Sequence, residues 1–402
     1  MSLAEVPLVF VLLGLVFYTV LGGADFGAGF WQLTVGSGGR GQAVRDFAHH
    51  AMGPVWEANH VWLVFVLTVT WTAYPTVFAS IASTLAVPLF VATVGIIFRG
   101  TTYALRSGTH GGAERRVVDA LFSLASILTP FALGTAVGAI AQGRVPAGNA
   151  AGNEVTSWLN PASLLIGTLA VATSAYMAAV FLAADTNRRG HPELEPQFRL
   201  RALFAGVAAG ALAIAMLPVL DSDAHRLFER LVEARGLPAL VVSIAAGLGT
   251  IALVWGRRYE PARYSAALAV AAIVAGWGLA QAPTLIRGLT ITQTAAGRDT
   301  LVTLIVAIMA GGAIVFPALA VLFRLVLAAQ FDRPEALDAS ASPTAGVTAR
   351  LRRGLLVRVA FACLLVGFGL TTIADSRLAH AVGVTALLAF VALAFPATVC
   401  LD

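Results

Sequence analysis

Apolar segments of about 20 residues alternate with short polar stretches along most of the chain, and each is long enough to cross a bilayer core of about 30 Å as an α-helix. The short loops between most of these segments predict antiparallel neighbours. We therefore predict an all-α, polytopic transmembrane helix bundle with eleven spans, at about 6–25, 54–73, 77–98, 117–141, 161–184, 203–220, 237–255, 264–283, 301–327, 355–373 and 378–399.

One polar segment, at about 331–353, interrupts this pattern. It contains two prolines and several Ala, Ser and Thr residues, a composition typical of a flexible linker. We therefore predict three parts: a membrane domain at 1–330, the linker at 331–353, and two additional transmembrane helices at 354–402. The N-terminus carries Glu5 and no basic segment before the first apolar run, so we expect that run to be retained as a span.

Composition supports the membrane class. Hydrophobic residues make up 58% of the 402 residues, charged residues make up 12%, and the mean hydropathy is +0.83. All 26 basic residues are Arg, and the net charge of +5 fits basic cytoplasmic loops better than nucleic-acid binding. Cys363 and Cys400 lie in separate apolar segments without metal-ligand spacing, so we expect inert thiols.

The distribution of Arg predicts the orientation. Nineteen Arg fall between the first and second spans, in every second loop thereafter or in the two spans that flank the linker, whereas seven fall in the other loops. Because basic short loops stay in the cytoplasm, we predict that the N-terminus faces outward and the C-terminus faces the cytoplasm. The expected location is a bacterial or archaeal cytoplasmic membrane, with the lipid bilayer as the surrounding partner.

The stretch GPVWEANHVWLV (Gly53 to Val64) carries the first candidate chemistry. Glu57 begins a long apolar run, where a carboxylate usually marks an ion or proton path. The helix dipole favours its ionised form and burial opposes it, so Glu57 is a plausible proton acceptor from the cytoplasm. His60 shares its helical face, and Asp25 ends the preceding span on the same side of the membrane.

Structural roles are the alternatives for these residues. Glu57 could cap its helix or pair with Arg45 or Arg99. Asp25 could accept hydrogen bonds in its Gly-rich neighbourhood, and His60 could be a packing residue. Interfacial anchoring and core packing are the corresponding alternatives for Trp56, Trp62 and Trp71.

The seven histidines argue against a haem bound by this chain alone. His60 is the one near the interior of a predicted span, whereas the others fall in loops or near the start of a span: His49, His50, His110, His191, His225 and His380. A pair of axial ligands on facing spans is therefore not visible in the sequence.

Five ordered motifs carry a resemblance to a known family. Arranged along the chain they are YTVLGGADFGAGF (18–30), GPVWEANHVWLV (53–64), IIFRG (96–100), LGTAVGAIAQG (133–143) and WLNPASLLIG (158–167). In order and spacing the chain resembles subunit II of cytochrome bd-type quinol oxidases over roughly residues 1–330.

The resemblance implies a haem-free subunit of a complex that oxidises quinol and reduces dioxygen to water. A larger partner, subunit I, would carry haems of types b and d and the quinol site, so no cofactor or metal is expected in this chain alone. The family's proton-path carboxylate matches Glu57, and Asp25 matches the aspartate of its first span. Trp56, Asn59 and Trp62 fall on the same pattern as Glu57, and Arg99 matches the family's arginine after the third span.

The tail departs from the family, whose members typically end after nine spans. We hypothesise that the two additional helices pack on the flank of the complex, where small accessory membrane subunits dock in relatives. The competing interpretation is a stand-alone proton-coupled membrane transporter, because prolines, glycines and a carboxylate within the membrane also suit transport.

Overall fold

The computed structural model describes residues 2–35, 38–52, 56–106, 112–232, 235–327, 358–367, 369–370 and 376–399. Within these ranges the side chains of some residues also lie outside the description, among them those of residues 49–52, 56–58 and 380. The predicted linker at 331–353 lies outside the described residues. The described part of the chain is almost entirely helical.

The helices follow one another as expected for a multi-pass membrane protein. They are α1 (Val6–Phe17), α2 (Gly23–Leu33), α3 (Gly39–Met52), α4 (Trp56–Ala73), α5 (Pro75–Thr84), α6 (Ala86–Arg106), α7 (Gly112–Ala141), α8 (Pro161–Arg188), α9 (Glu195–Asp223), α10 (His225–Val232), α11 (Leu237–Trp255), α12 (Tyr259–Gln281), α13 (Ile291–Thr294), α14 (Arg298–Leu327), α15 (Arg358–Gly367) and α16 (Arg377–Val399). Short 3₁₀ turns cover Leu3–Glu5 and Pro192–Leu194.

Eight helical segments of the described residues are long and apolar enough to span a membrane, and α4 contributes a shorter apolar segment, Asn59–Ala73. The predicted all-α transmembrane fold is therefore confirmed, and each of the nine spans predicted within 1–330 corresponds to a helix. The chain divides into two compact units, Met1–Val321 and Leu322–Asp402. The described helical residues of the second unit are the end of α14, α15 and α16.

The first span is longer than predicted. Instead of ending at Asp25, it continues from Leu3 to Leu33, because the glycines of its second half lie in helical contact with neighbours rather than in a loosened end. A π-helical segment, Tyr18–Gly22, joins α1 to α2. Asp25 therefore lies inside a helix, about 12 Å from its end at a rise of about 1.5 Å per residue.

The third span also differs from the prediction of 77–98. The helix after Tyr74 breaks at Leu85, so α5 is a separate short helix and the span is Ala86–Leu105. Polar residues from Arg99 onward favour a loop in the sequence, but they continue the helix because Arg99 is paired inside the bundle. The orientation rests on loop Arg counts, and moving Arg99 into a helix leaves the same side in clear excess.

Small residues bring α7 and α8 into close contact. Gly134 packs against Gly167 and Ala170 of α8, and Gly138 packs against Ser163, where an added Cβ would lie 2.7 Å from the Ser163 Cα. This contact is the close approach that the GxxxG spacing of α7 predicts.

Two amphipathic helices lie between spans. In α3, Val44, Phe47 and Ala48 are buried, and the Phe47 ring packs against Phe198 of α9. In α10, Leu227 and Leu231 are buried. A two-stranded antiparallel hairpin, β1 (Thr284–Ile286) and β2 (Leu289–Thr290), follows α12. The main core lies where α2, α8, α9 and α12 meet.

Candidate functional site: a buried ion pair beside α4

The Asp25 carboxylate is held inside the bundle by Arg99 of α6. Arg99 Nη2 lies 2.7 Å from Asp25 Oδ1 and also donates to the backbone carbonyl of Asp25 at 2.8 Å. Asp25 is 1% exposed and Arg99 is 2% exposed. The pair is therefore shielded from solvent, where the attraction between opposite charges is strongest and loss of one partner is most damaging.

Aromatic rings and a hydroxyl complete the surroundings of Arg99. Its Cζ lies 4.8 Å from the centroid of the Phe26 ring and 4.6 Å from that of Phe122. Its Nη1 lies 3.4 Å from Ser126 Oγ on α7. Cation–π contacts stabilise a desolvated guanidinium, so Arg99 ties α2, α6 and α7 together through one charged group.

Two oxygens at this site, one of them within the ion pair, have no hydrogen-bond partner among the described residues. They are Asp25 Oδ2 and the hydroxyl of Tyr18, and both are buried. Buried polar atoms are normally paired with protein or ordered water. One carboxylate oxygen of Asp25 is thus fixed by Arg99, while the other is left available to a further donor.

Glycines let neighbouring helices approach the pair. The Gly27 backbone touches the Ser174 carbonyl of α8, and Gly29 touches the Ser126 side chain of α7, so a Cβ at either position would overlap its neighbour. The Gly-rich sequence after Tyr18 therefore serves close packing and not a flexible end.

Helix α4 meets this site through Asn59. Its side-chain amide donates to the carbonyl of Leu21 in the π-helical segment at 3.3 Å, and Asn59 is 1% exposed. A π-helical turn leaves backbone groups outside the regular α-helical pattern, and such turns are frequent at functional sites. Asn59 thus fixes the start of α4 against the turn that precedes Asp25.

His60 and Trp62 pack on the same side of the first span. The His60 ring centroid lies 6.1 Å from that of Tyr18 and 5.8 Å from that of Phe26. The Trp62 ring stacks on Phe17 at 4.4 Å. His60 therefore packs against two of the aromatic rings beside the ion pair, Tyr18 and Phe26.

Glu57 and Trp56 occupy the first turn of α4 by backbone position, but their side chains lie outside the described residues. The structure thus brings together Asp25, Arg99, Asn59 and His60, with Glu57 three residues before His60 on the same helix. The placement of Arg99 after the third span was wrong, since it lies inside α6. Arg99 pairs with Asp25, and the alternative considered above, an ion pair between Arg99 and Glu57, lies outside the described side chains.

Sequence reasoning missed Tyr18, Ser126 and Phe122 as parts of the site. Tyr18 lies in the first quoted motif, seven residues before Asp25, so its proximity was visible in principle. Ser126 and Phe122 lie in an unremarkable apolar stretch of α7, and only the helix packing reveals them.

The histidines with described side chains are poor candidates for a haem pair. His60 is packed between rings of the first span, whereas His191 and His225 are more than half exposed and pair with carboxylates. The side chains of the remaining four lie outside the described residues. Within the described part of the chain, no group of three or more His, Cys, Asp or Glu residues could hold a metal ion.

A second polar cluster lies where α8 and α9 meet α12. Arg263 pairs with Asp185, each being 12% exposed, and also donates to the Phe181 carbonyl at 3.1 Å. The Tyr259 hydroxyl donates to the buried carboxylate of Glu195. These contacts join helix ends, and among the described residues the buried atom of this cluster without a hydrogen-bond partner is Arg263 Nε and not a carboxylate oxygen.

Comparison with known proteins agrees with the predicted resemblance. The family model of the cytochrome bd terminal oxidase subunit II matches residues 3–326. The chain is 27% identical over 127 residues to the cytochrome bd ubiquinol oxidase subunit 2 of Bacillus subtilis, covering 31% of this chain and 37% of that protein. It is 28% identical over 183 residues to the cytochrome bd-I ubiquinol oxidase subunit 2 of Escherichia coli K12, covering 43% and 46%.

These matches span less than half the length of the curated relatives. A structural likeness covers more: a chain of the bd oxidase from Geobacillus thermodenitrificans matches with a TM-score of 0.65 and 25% identity, over 81% of this chain and 99% of that chain.

Proposed function

Since the chain belongs to the cytochrome bd terminal oxidase subunit II family, we propose that it is the haem-free subunit of a respiratory quinol:oxygen oxidoreductase. Its partner would be the haem-bearing subunit I, which oxidises quinol and reduces dioxygen. This chain would support that subunit and supply cytoplasmic protons to it. Haems of types b and d would belong to the partner.

The observation that carries the proton role is the half-engaged carboxylate of Asp25. Arg99 holds Oδ1, while Oδ2 is buried and has no partner among the described residues. Such an oxygen can bind a proton while the other oxygen keeps its hydrogen bond from Arg99. Asp25 is thus suited to a relay and not solely to a structural ion pair.

The neighbouring residues give this relay an order. Glu57 stands at the start of α4, where it would take protons from the cytoplasm. His60, three residues on, packs against the same rings, Tyr18 and Phe26, that flank the Asp25–Arg99 pair. Asn59, Trp56, Trp62 and Arg99 would position these groups and would not themselves transfer protons.

The test is turnover of the intact complex. We expect Glu57→Gln, expressed with subunit I, to lower oxygen consumption by at least about tenfold, because a positioned proton-transfer group contributes about 10²- to 10⁴-fold. Haem content, measured by optical spectrum, should stay at the wild-type level. Glu154→Gln, in an exposed loop, is the matched control and should leave turnover unchanged.

Wild-type turnover of Glu57→Gln with full haem content would sink the proton role while leaving subunit membership intact. Purification addresses membership itself: the proposal predicts copurification with a haem-rich partner. A colourless chain that moves a solute alone would favour the proton-coupled transporter instead.

A further inference from the structure

Polar residues line one side of α7 from its start towards the ion pair. Arg115, Asp119, Ser123 and Ser126 recur at spacings of four, four and three residues, which places them along one side of a helix. Ser123 and Ser126 are each 1% exposed. Ser126 donates to the Phe122 carbonyl of its own helix, but a stripe that also contains Arg115 and Asp119 is favoured by a polar neighbour in an otherwise apolar bundle, because unpaired polar groups are costly there.

Helix α2 supplies that neighbour in antiparallel register. Gly29 packs directly against Ser126, which fixes the two helices at this height. Moving one turn towards the end of α2 and one turn towards the start of α7 brings Gln32 level with Ser123. Asp25, Gly29 and Gln32 are spaced by four and three residues, so all three lie on the face of α2 that meets α6 and α7.

Gln32 is the unexplained group on this face. Its side chain is 4% exposed, and neither its amide nitrogen nor its amide oxygen has a partner among the described residues. Asp25 Oδ2, about 10 Å away along the same face at a rise of 1.5 Å per residue, is in the same state. Asp25 Oδ2 and the Gln32 amide are thus two buried, unpartnered groups on one side of α2, and bound water satisfies such groups, since a buried water typically makes about three hydrogen bonds.

The stripe reaches the surface at α3. Arg115 Nη2 lies 2.9 Å from Asp46 Oδ1, and these side chains are 34% and 41% exposed. Gln42 also donates to Asp46. Polar groups therefore continue from an open ion pair, past Asp119, into the buried part of α7. Phe122 lies beside these polar residues and packs on Arg99. The polar path therefore runs past the Phe122 ring by way of Ser123 and Gln32.

We infer that a hydrated polar column between α2 and α7, running from the Asp46–Arg115 pair past Asp119, Ser123 and Gln32, is a second inlet that delivers protons to Asp25 Oδ2. This inference rests on the proposed function, and it adds an entry that does not pass through Glu57. A proton arriving through water binds Oδ2, and the same O–H bond breaks when the proton passes on. Gln32 is a positioning residue, since its amide orients water without changing its own protonation.

The experiment uses the complex with its haem-bearing subunit. Gln32→Leu should lower oxygen consumption by at least about threefold, less than the full effect of a positioned transfer group because the Glu57 inlet remains. It should also enlarge the solvent deuterium isotope effect on turnover. Gln32→Glu, which keeps a polar group of the same length, should restore both. Gln142→Leu, at the other end of α7, is the matched control and should leave the isotope effect unchanged.

Hydroxyl-radical labelling adds a readout independent of turnover. Water in the column should make buried Phe122 more reactive than Phe198, which is fully buried elsewhere, and Gln32→Leu should remove that difference. If Gln32→Leu fails to assemble, Gln32→Met, unbranched and apolar, takes its place. Wild-type turnover and isotope effect in Gln32→Leu or Gln32→Met, or equal labelling of the Phe122 and Phe198 rings, would overturn the proposed column. A loss of activity in Glu57→Gln would still stand, so the two proposals fail separately.

Discussion

Two ion pairs join helices of this bundle at different depths, and they differ in whether a buried carboxylate oxygen is left without a hydrogen-bond partner. Asp25–Arg99 is at most 2% exposed and lies inside two helices, and one of its carboxylate oxygens has no partner among the described residues. Asp185–Arg263 is 12% exposed on each side and lies near the ends of α8 and α12, with the Phe181 carbonyl as a second acceptor.

This difference distinguishes an ion pair that stabilises a helix junction from one that also offers a buried carboxylate oxygen for chemistry. The pair near the helix ends has partial access to solvent, a backbone acceptor and one flanking ring, that of Phe181, whose centroid lies 4.8 Å from Arg263 Cζ. A pair within the apolar bundle needs rings, a hydroxyl and glycine contacts to be tolerated, and an oxygen left over in such surroundings is available for chemistry. Three measurements test this contrast, beginning with the largest expected effect.

Removing the carboxylate of the deeper pair should be the most damaging change. Asp25→Ala leaves the Arg99 charge buried without its partner, which lowers the free energy of unfolding by about 3–5 kcal/mol. Adding Arg99→Met should recover much of that loss, because the buried charge is then gone. Thermal unfolding in detergent, followed by Trp fluorescence, measures both. Equal unfolding midpoints for Asp25→Ala and the wild type would show that the Asp25–Arg99 pair does not stabilise the fold.

The shallower pair should respond less. Asp185→Ala leaves Arg263 with the Phe181 carbonyl and partial access to water, so we expect a loss of about 1–2 kcal/mol, between the values for exposed and buried pairs. The same unfolding assay applies, and oxygen consumption per haem should be unchanged. A loss as large as that of Asp25→Ala would remove the distinction between the two pairs.

An exposed cluster of charged groups at the start of α10 is the third case, and we expect it to have the smallest effect on stability. His225 Nδ1 lies 2.7 Å from Asp221, and its Nε2 lies 3.1 Å from Glu229. The hydrogen bond to Asp221 and the nearby Glu229 carboxylate raise the pKa of His225 above its ordinary value. The resulting stabilisation is complete below the ordinary histidine pKa of about 6.5 and is lost as the pH rises through the raised value.

Hydrogen exchange of α10, corrected for the intrinsic rate, should therefore be slower near pH 6 than near pH 9. His225→Gln should flatten this dependence and leave the bundle unaffected. An unchanged pH dependence in His225→Gln would assign the effect to another group.

Sequence reasoning located the spans because 20-residue apolar runs and glycine spacings are local properties of the chain. It misplaced Arg99 because a charge followed by Gly100, Thr101 and Thr102 resembles a helix end, and only its distant partner Asp25 makes an interior position acceptable. The amphipathic helix α3 was missed for a related reason: its buried Val44, Phe47 and Ala48 are too few to signal a span. Tertiary contacts decided each of these cases.

The residues of the site likewise divide into those predicted from the sequence and those revealed only by helix packing. Asp25, Asn59 and His60 were predicted from residue type and motif, and the structure brings them together beside Arg99. Ser126, Phe122 and Gln32 carry no recognisable motif, since single polar or aromatic residues in an apolar helix are common. Their relation to Asp25 depends on the register between α2 and α7, which no single segment encodes.

The π-helical segment Tyr18–Gly22 sets the angular phase of everything after it on the first span. A π turn holds about one residue more than an α turn, and one residue corresponds to about 100° of rotation. Because the turn already absorbs one extra residue, inserting a second residue between it and Asp25 would leave the hydropathy and composition of the span almost unchanged, yet Asp25, Gly29 and Gln32 would rotate away from α6 and α7 together. A change that resembles neutral length variation would thus disconnect the whole polar face at once.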